Sequence, residues 1–365
     1  MNYTIEKVTT LIGARRFGNA EASIGFLLTD SRSLCFPEET LFFALKSERN
    51  DGHKYIDDLY RRGVRNFVVE QLPEKWEERY PNSNFLKVVG TLEALQRLAE
   101  RHRDEFDIPV VGITGSNGKT MVKEWLYQLL SPSMVVTRSP RSYNSQVGVP
   151  LSVWLMNEQT QVGVFEAGIS QPGEMQALRD IIQPTIGILT NLGPAHQENF
   201  PSMAAKCKEK LTLFHDTQAV VYCQDDELVN RCMSEFAYHG EQLAWSVKND
   251  KAAFFVKSIE KKDITTTVTY VYNGKTEGRY SIPFIDEASV TNSIVSAIAA
   301  LYLGITTGQL AERMAKLEPV AMRLEVKEGQ HGCTLINDSY NSDINSLDIA
   351  LDFMNRRPDH KGRKR

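Results

Sequence analysis

The five cysteines, at positions 35, 207, 223, 232 and 333, include no C-x-x-C pair, and their odd number does not suit a disulfide framework. A reducing cytoplasm is the expectation. No apolar run approaches 18 residues, and the N-terminus MNYTIEKVTTLIG has no basic region followed by an apolar stretch. Neither a membrane span nor an export signal is therefore indicated. Charge of one sign is also missing: 42 Lys+Arg face 46 Asp+Glu, for a net charge of -4. That balance gives no argument for nucleic acid or an anionic membrane as partner. What remains is ordinary globular text, 42% hydrophobic and 24% charged over 365 residues, enough for two or three domains.

The most informative stretch is VVGITGSNGKT, residues 110–120. A short apolar run breaks into Gly115-Ser116-Asn117-Gly118-Lys119-Thr120, and a helical pattern follows through Trp125, Leu126, Leu129 and Leu130. Glycines let the backbone turn tightly with its N–H groups inward, Lys119 can reach the β/γ-phosphates, and the Thr120 hydroxyl can ligate Mg²⁺. The helix N-terminus adds the positive end of its dipole. The strict spacing would need a glycine at 113, where Ile113 stands, so the match is to the variant T-G-x-x-G-K-T. Thr114, Gly115, Ser116, Asn117, Gly118, Lys119 and Thr120 become candidate ATP contacts. The bland alternative is a glycine turn with a solvated lysine.

Around this loop the chain divides into three expected units. Residues 1–107 read as a small α/β unit, with apolar runs at 24–28, 41–45, 64–69 and 85–89 and helical segments near 53–62 and 91–105. Asp30, Ser31, Arg32, Lys46 and Asp51 fall at the ends of these runs, where they either face a ligand crevice or, for the two aspartates, cap turns. From 108 to 318, strands expected at 108–114, 133–137, 162–166, 185–190 and 218–222 alternate with helices, predicting an α/β, doubly wound, mostly parallel sheet. Polar clusters mark the expected strand ends: Asn144 and Ser145 in a loop expected to close over phosphate or the UDP substrate, Glu166 after 162–165, and Asn191 to His196 after 185–190. Mg²⁺ suits Glu166 with Thr120, and a second metal would accept His196. The lysines at 206, 208 and 210 read as a solvated face. Residues 242–282 turn β-rich, with a hairpin around Asn273-Gly274. An apolar helix over 288–303 carries Asn292, either a cap or a base-binding amide. Residues 319–365 read as the first part of a third unit, with Arg323 ahead of an apolar run ending in Asn337-Asp338-Ser339-Tyr340-Asn341, then a helix over 343–355 and a basic tail.

GITGSNGKT, NSQVGVPL, FEAGISQPGEM, TNLGPAHQENF, MRLE and INDSYNSD, in this order, resemble the Mur ligase family, the ATP-dependent amide-forming enzymes of peptidoglycan synthesis. The likeness covers essentially the whole chain. GPAH at 193–196 favours the branch that adds D-alanyl-D-alanine to UDP-N-acetylmuramoyl-tripeptide. The resemblance implies an N-terminal UDP-binding domain, a central P-loop ATPase and a Rossmann-like C-terminal domain that closes over ATP. It implies phosphate and Mg²⁺ roles for Lys119 and Thr120, and metal-site roles for Glu166 and His196. Lys208 best matches a lysine carbamoylated in several members, with Lys206 as the alternative. Asn292 matches an adenine contact, Arg323 a phosphate contact, and Asp338 a ribose or hinge contact with Tyr340 and Asn341 nearby. Ser31, Arg32 and Lys46 match the uridine-nucleotide end. Two departures stand out: Val295 occupies the position of a second helix asparagine, and the third domain is present only in its first part. Some bacteria carry this ligase fused ahead of an alanine racemase, which the resemblance makes a candidate fusion partner. Other readings are a diamino-acid-adding relative, a folylpolyglutamate synthase-like ligase, and a truncated nucleotide-binding fragment.

Overall fold

A computed structural model describes residues 1–48, 50–195, 197–320, 325–328 and 333–337, with positions 347, 351 and 354. Nine strands form one sheet in the order 136–138, 162–166, 110–114, 186–189, 219–223, 241–246, 254–262, 265–272 and 276–282. Neighbours are parallel as far as 254–262, and the last two pairings are antiparallel. The doubly wound parallel sheet expected from the alternating pattern is therefore present. The β-rich text of 242–282 adds to that same sheet. Its hairpin closes through residues 273–275, with Tyr272 paired to Thr276, and Asn273 and Gly274 there take φ of 51° and 65°.

The Val110–Thr114 strand lies between two parallel neighbours and is buried at every residue, which is why it reads as a continuous apolar run. The Lys119–Leu130 helix follows it, burying Val122, Trp125, Leu126 and Leu129 at i, i+3, i+4 and i+7. Together with the Glu287–Tyr302 helix it covers one face of the sheet. Val295 packs in that apolar core. The helices Glu174–Ile182 and Met203–Leu211 cover the other face.

A second sheet of five strands, in the order 15–17, 84–87, 66–69, 40–43 and 26–28, precedes this one in the chain. The Thr91–Arg103 helix joins the two, placing Ala94, Leu95 and Leu98 in a core of the five-stranded sheet and Ala99 in one of the nine-stranded sheet. His102 sits at the seam, 1% exposed, with Tyr3 OH 2.9 Å from Nδ1 and Met156 O 3.1 Å from Nε2. Burial holds its pKa down to about 4, so the ring is neutral at pH 7. A carbonyl only accepts, so Nε2 carries the proton and Nδ1 accepts from the tyrosine. Arg103 Nε donates to Ile182 O (3.0 Å) and Trp154 Nε1 to Gly25 O (2.9 Å), tying the sheets further.

Beyond residue 320, Glu325–Glu328 pairs antiparallel with Thr334–Asn337. The helix expected over 343–355 falls largely outside the described residues. Among the described residues, no helix is long and apolar enough to cross a membrane.

Candidate active site

The loop between the 110–114 strand and the 119–130 helix contains two glycines in the left-handed region, Gly115 at φ +145° and Gly118 at φ +84°. At both, neighbours also occupy the space a side chain would need. A Cβ on Gly115 would lie 1.9 Å from Thr190 Oγ1, and one on Gly118 2.4 Å from Asn292 Oδ1. The residues after the 186–189 strand brace the loop: Ser116 N donates to Asn191 O (3.0 Å), Asn117 N to Asn191 Oδ1 (2.9 Å), and Thr190 Oγ1 to Asn117 O (2.5 Å). Lys119 Nζ folds back onto Gly115 O at 2.8 Å and Ser116 O at 3.2 Å. Thr114, expected to touch ATP, lies buried beneath the loop, and its Oγ1 has no hydrogen-bond partner.

Thr120 and Glu166 meet. Glu166 ends the strand beside 110–114 and is fully buried, and Thr120 Oγ1 donates to its Oε2 at 3.1 Å. Ser142 Oγ lies 2.9 Å from the same hydroxyl and serves as donor, since Thr120 has one proton to give. Asn144 Nδ2 donates to Glu166 Oε2 at 3.3 Å, so a residue expected at the UDP-substrate end touches the expected metal carboxylate. Ser145 instead starts the next helix: its hydroxyl accepts from Gly148 N at 3.1 Å. Asn292, the expected adenine contact, packs against Gly118 and donates to Met121 Sδ at 3.1 Å.

The lysine expectation needs correcting. Lys208 lies on the outer side of the 203–211 helix, paired with Glu235 at 2.8 Å, and that carboxylate raises its pKa. Residues 206 and 210 are a helical turn apart and share the opposite, buried face. Lys206 Nζ donates to Gly193 O (2.5 Å), and burial lowers its pKa. Lys210, 3% exposed, donates to Gly115 O at 3.2 Å from beneath the phosphate loop. Burial, then Lys119, then Lys206 push its pKa well down. The solvated-face reading fails for Lys206 and Lys210, and the place of Lys210 beside Cys207 and Leu211 marks it as inward-facing.

Other candidates lie apart from this cluster. Ser31 and Arg32 follow the 26–28 strand and Lys46 follows 40–43, so they share the carboxyl ends of two adjacent parallel strands. Arg32 is mostly exposed and paired with Asp30 at 2.7 Å. Asp30 and Asp51 both cap short helical turns, accepting from Arg32 N and His53 N. His196, Arg323, Asp338, Tyr340 and Asn341 lie outside the described residues.

The geometry accommodates a magnesium nucleotide. Mg²⁺ takes few protein ligands and keeps waters, so one buried carboxylate beside a loop hydroxyl suffices where phosphate oxygens complete the shell. Glu166 Oε1 pairs with the Lys123 ammonium at 3.1 Å and accepts no other hydrogen bond, so a lone pair remains for a metal. No cluster of three His, Cys, Asp or Glu side chains occurs among the described residues, so an all-protein metal cage is not what they build.

Comparison with known proteins agrees with this arrangement. The UDP-N-acetylmuramoyl-tripeptide–D-alanyl-D-alanine ligase of Bacillus subtilis is 28% identical over 330 residues, covering 88% of this chain and 68% of that protein. The MurF crystal structure from Acinetobacter baumannii superposes with a TM-score of 0.87 at 23% identity, over 98% of this chain and 77% of that one. MurF from Thermotoga maritima, solved in complex with ADP, gives a TM-score of 0.77 at 24% identity, over 91% and 75%. These two likenesses establish the shared fold. The Mur ligase middle domain matches residues 113–300, more than half of the sequence, and this chain belongs to the Mur ligase family.

Proposed function

We propose that this chain is an ATP-dependent ligase that joins D-alanyl-D-alanine to UDP-N-acetylmuramoyl-tripeptide with release of ADP and phosphate, a cytoplasmic step of peptidoglycan precursor synthesis. The observation that carries the reading is the meeting of Thr120 with buried Glu166 at the ends of adjacent parallel strands, one of which leads into the Lys119 loop. Mg²⁺ bound there would supply charge neutralisation on the transferring phosphate. A carboxylate oxygen of the tripeptide attacks the γ-phosphorus as the bond to ADP breaks, giving an acyl phosphate. The dipeptide amine then attacks the acyl carbon, phosphate leaves, and the nitrogen loses a proton to give the amide. Lys119, released from the loop carbonyls, stabilises the charge of the in-line transfer. Residues 1–107 serve the uridine nucleotide through Ser31, Arg32 and Lys46. Residues 108–318 serve ATP, with Asn292 at the base. From 319 onward Arg323, Asp338, Tyr340 and Asn341 meet the nucleotide on closure.

Lys210 is the lysine we propose for carbamoylation in place of Lys208. The amine adds CO₂ only when neutral, forming R–NH–COO⁻ and releasing one proton. Its burial beside Lys119 and Lys206 disfavours the ammonium, and a carbamate there would place a negative charge between two cations.

A coupled ADP-release assay with separate amine donors tests the reading. Release with D-alanyl-D-alanine and the UDP-tripeptide is expected. Release with a diamino acid or glutamate alone would refute the substrate assignment, and ATP binding with no turnover for any donor would refute catalysis by this chain.

A further inference from the structure

Lys123 lies one turn beyond Lys119 on the same helix, and its side chain is fully buried. Its ammonium is surrounded by oxygen: Ser139 O at 2.8 Å, Arg141 O, Glu124 Oε1 at 3.0 Å and Glu166 Oε1 at 3.1 Å. Glu124 is held from its other oxygen by Arg138 Nε at 3.0 Å, so the cluster pairs two cations with two carboxylates. A lysine fixed only to stabilise a loop would need the two carbonyls alone. This one also touches the carboxylate that meets Thr120.

We infer that Lys123 is a positioning residue for the metal–nucleotide site, orienting Glu166 and fastening residues 139–144 around it. The inference rests on reading Thr120 and Glu166 as that site. The two oxygens of Glu166 are held differently: Oε1 by Lys123, Oε2 by Thr120 and Asn144. With Oε1 drawn toward the ammonium, the carboxylate plane is set and Oε2 points to the loop hydroxyl. The 139–144 segment carries Ser142 to Thr120 and Asn144 to Glu166, and Ser139 Oγ accepts from Glu166 N at 3.2 Å. Two carbonyls of that segment end on Lys123, so removing the ammonium frees both the carboxylate and the segment that flanks it. Outer partners of this kind fix the geometry of metal ligands and set affinity without touching the ion.

The test uses Lys123→Met, which keeps the volume and removes the charge, made both in the natural sequence and in a Glu166→Gln background. Calorimetry reads the affinity for ADP with Mn²⁺ and for ADP in EDTA. Lys123→Met is expected to weaken Mn²⁺–ADP binding by about 10-fold or more and to leave metal-free ADP binding unchanged. Added to Glu166→Gln, it is expected to cause no further loss, because it acts through the carboxylate already removed. Should Lys123→Met fail to fold, the pair of Glu166→Gln variants decides alone, since there the Glu166 charge is absent. Equal weakening of metal-bound and metal-free ADP, natural affinity for Mn²⁺–ADP in Lys123→Met, or a further loss in the double variant would each overturn the inference. If the unaltered chain binds no Mn²⁺–ADP, the nucleotide reading itself falls, and the inference with it.

Discussion

Replacing Lys210 by methionine should stabilise the fold while disabling the enzyme. Lys210 is 3% exposed, and its pKa is pushed well below 10.5 by burial and by Lys119 and Lys206. In the unfolded chain the amine is protonated at pH 7.5, so folding must either release that proton or bury the charge, and both cost free energy. Unfolded chains bind more protons than folded ones here, which means stability at this site rises with pH and the penalty vanishes above about pH 10.5. Exchanging a buried ionic group for an apolar one of similar volume stabilises by about 1–4 kcal/mol, against ~1 kcal/mol for the lost bond to Gly115 O. A net gain on the order of 2 kcal/mol, or roughly 4–8 °C in Tm for a domain of ~200 residues, is expected in CO₂-free buffer. Bicarbonate should narrow that gap, because the carbamate's negative charge favours the natural chain and the methionine variant cannot form it. The assay is calorimetric melting of both proteins at pH 7.5 with and without bicarbonate, paired with ADP release. A variant less stable than the natural chain in CO₂-free buffer, or a bicarbonate response equal in both, would refute the reasoning.

Lys119→Ala should lose ATP affinity while its melting temperature stays close to the natural value, and unchanged affinity in calorimetry would remove the loop assignment. Gly115→Ala carries about 1–3 kcal/mol of backbone strain and must also displace Thr190 Oγ1, whereas Gly173→Ala has strain at φ +86° but nothing within 4 Å. Gly115→Ala should therefore cost clearly more in denaturant unfolding, and equal losses would contradict the close approach. His102, with its pKa lowered from 6.5 to about 4, binds fewer protons folded than unfolded, so its contribution is lost as pH falls through that window, by at most about 3 kcal/mol. His102→Gln should flatten that part of the stability–pH curve, and an unchanged slope would assign it to other groups.

The parts of the site that were legible in sequence are those whose geometry is local. A strand that ends in Gly115 and restarts as a helix at Lys119 carries its own loop, and the alternating pattern alone predicted strands ending at 166 and 190. Which strands lie side by side is not local. That Glu166 faces Thr120 follows from 162–166 pairing with 110–114, a choice of sheet order that no spacing encodes. The seam of Tyr3, His102 and Trp154 was invisible for the same reason: Tyr3 meets His102 across a sequence separation of 99 residues, and Trp154 reaches Gly25 O across 129.

The lysines show a different kind of failure, one that helical phase could have prevented. Reading 206, 208 and 210 as one solvated face treats alternate residues as neighbours, which holds on a strand and not on a helix. On the 203–211 helix Cys207 and Leu211 define the buried stripe, and Lys206 and Lys210 sit beside them while Lys208 points away. Lys123 was lost to the opposite error. It sits within the apolar pattern of its helix, next to Val122 and two residues before Trp125, where charge is costly unless something pairs with it. A buried-phase lysine is thus a signal in its own right: it requires a carboxylate, a ring of carbonyls or a neutral amine. Each inward lysine here has a different answer, with Lys123 held by two carboxylates, Lys206 by the carbonyls of the 193–195 turn, and Lys210 set beneath the phosphate loop, where burial and the nearby Lys119 and Lys206 push its pKa well down.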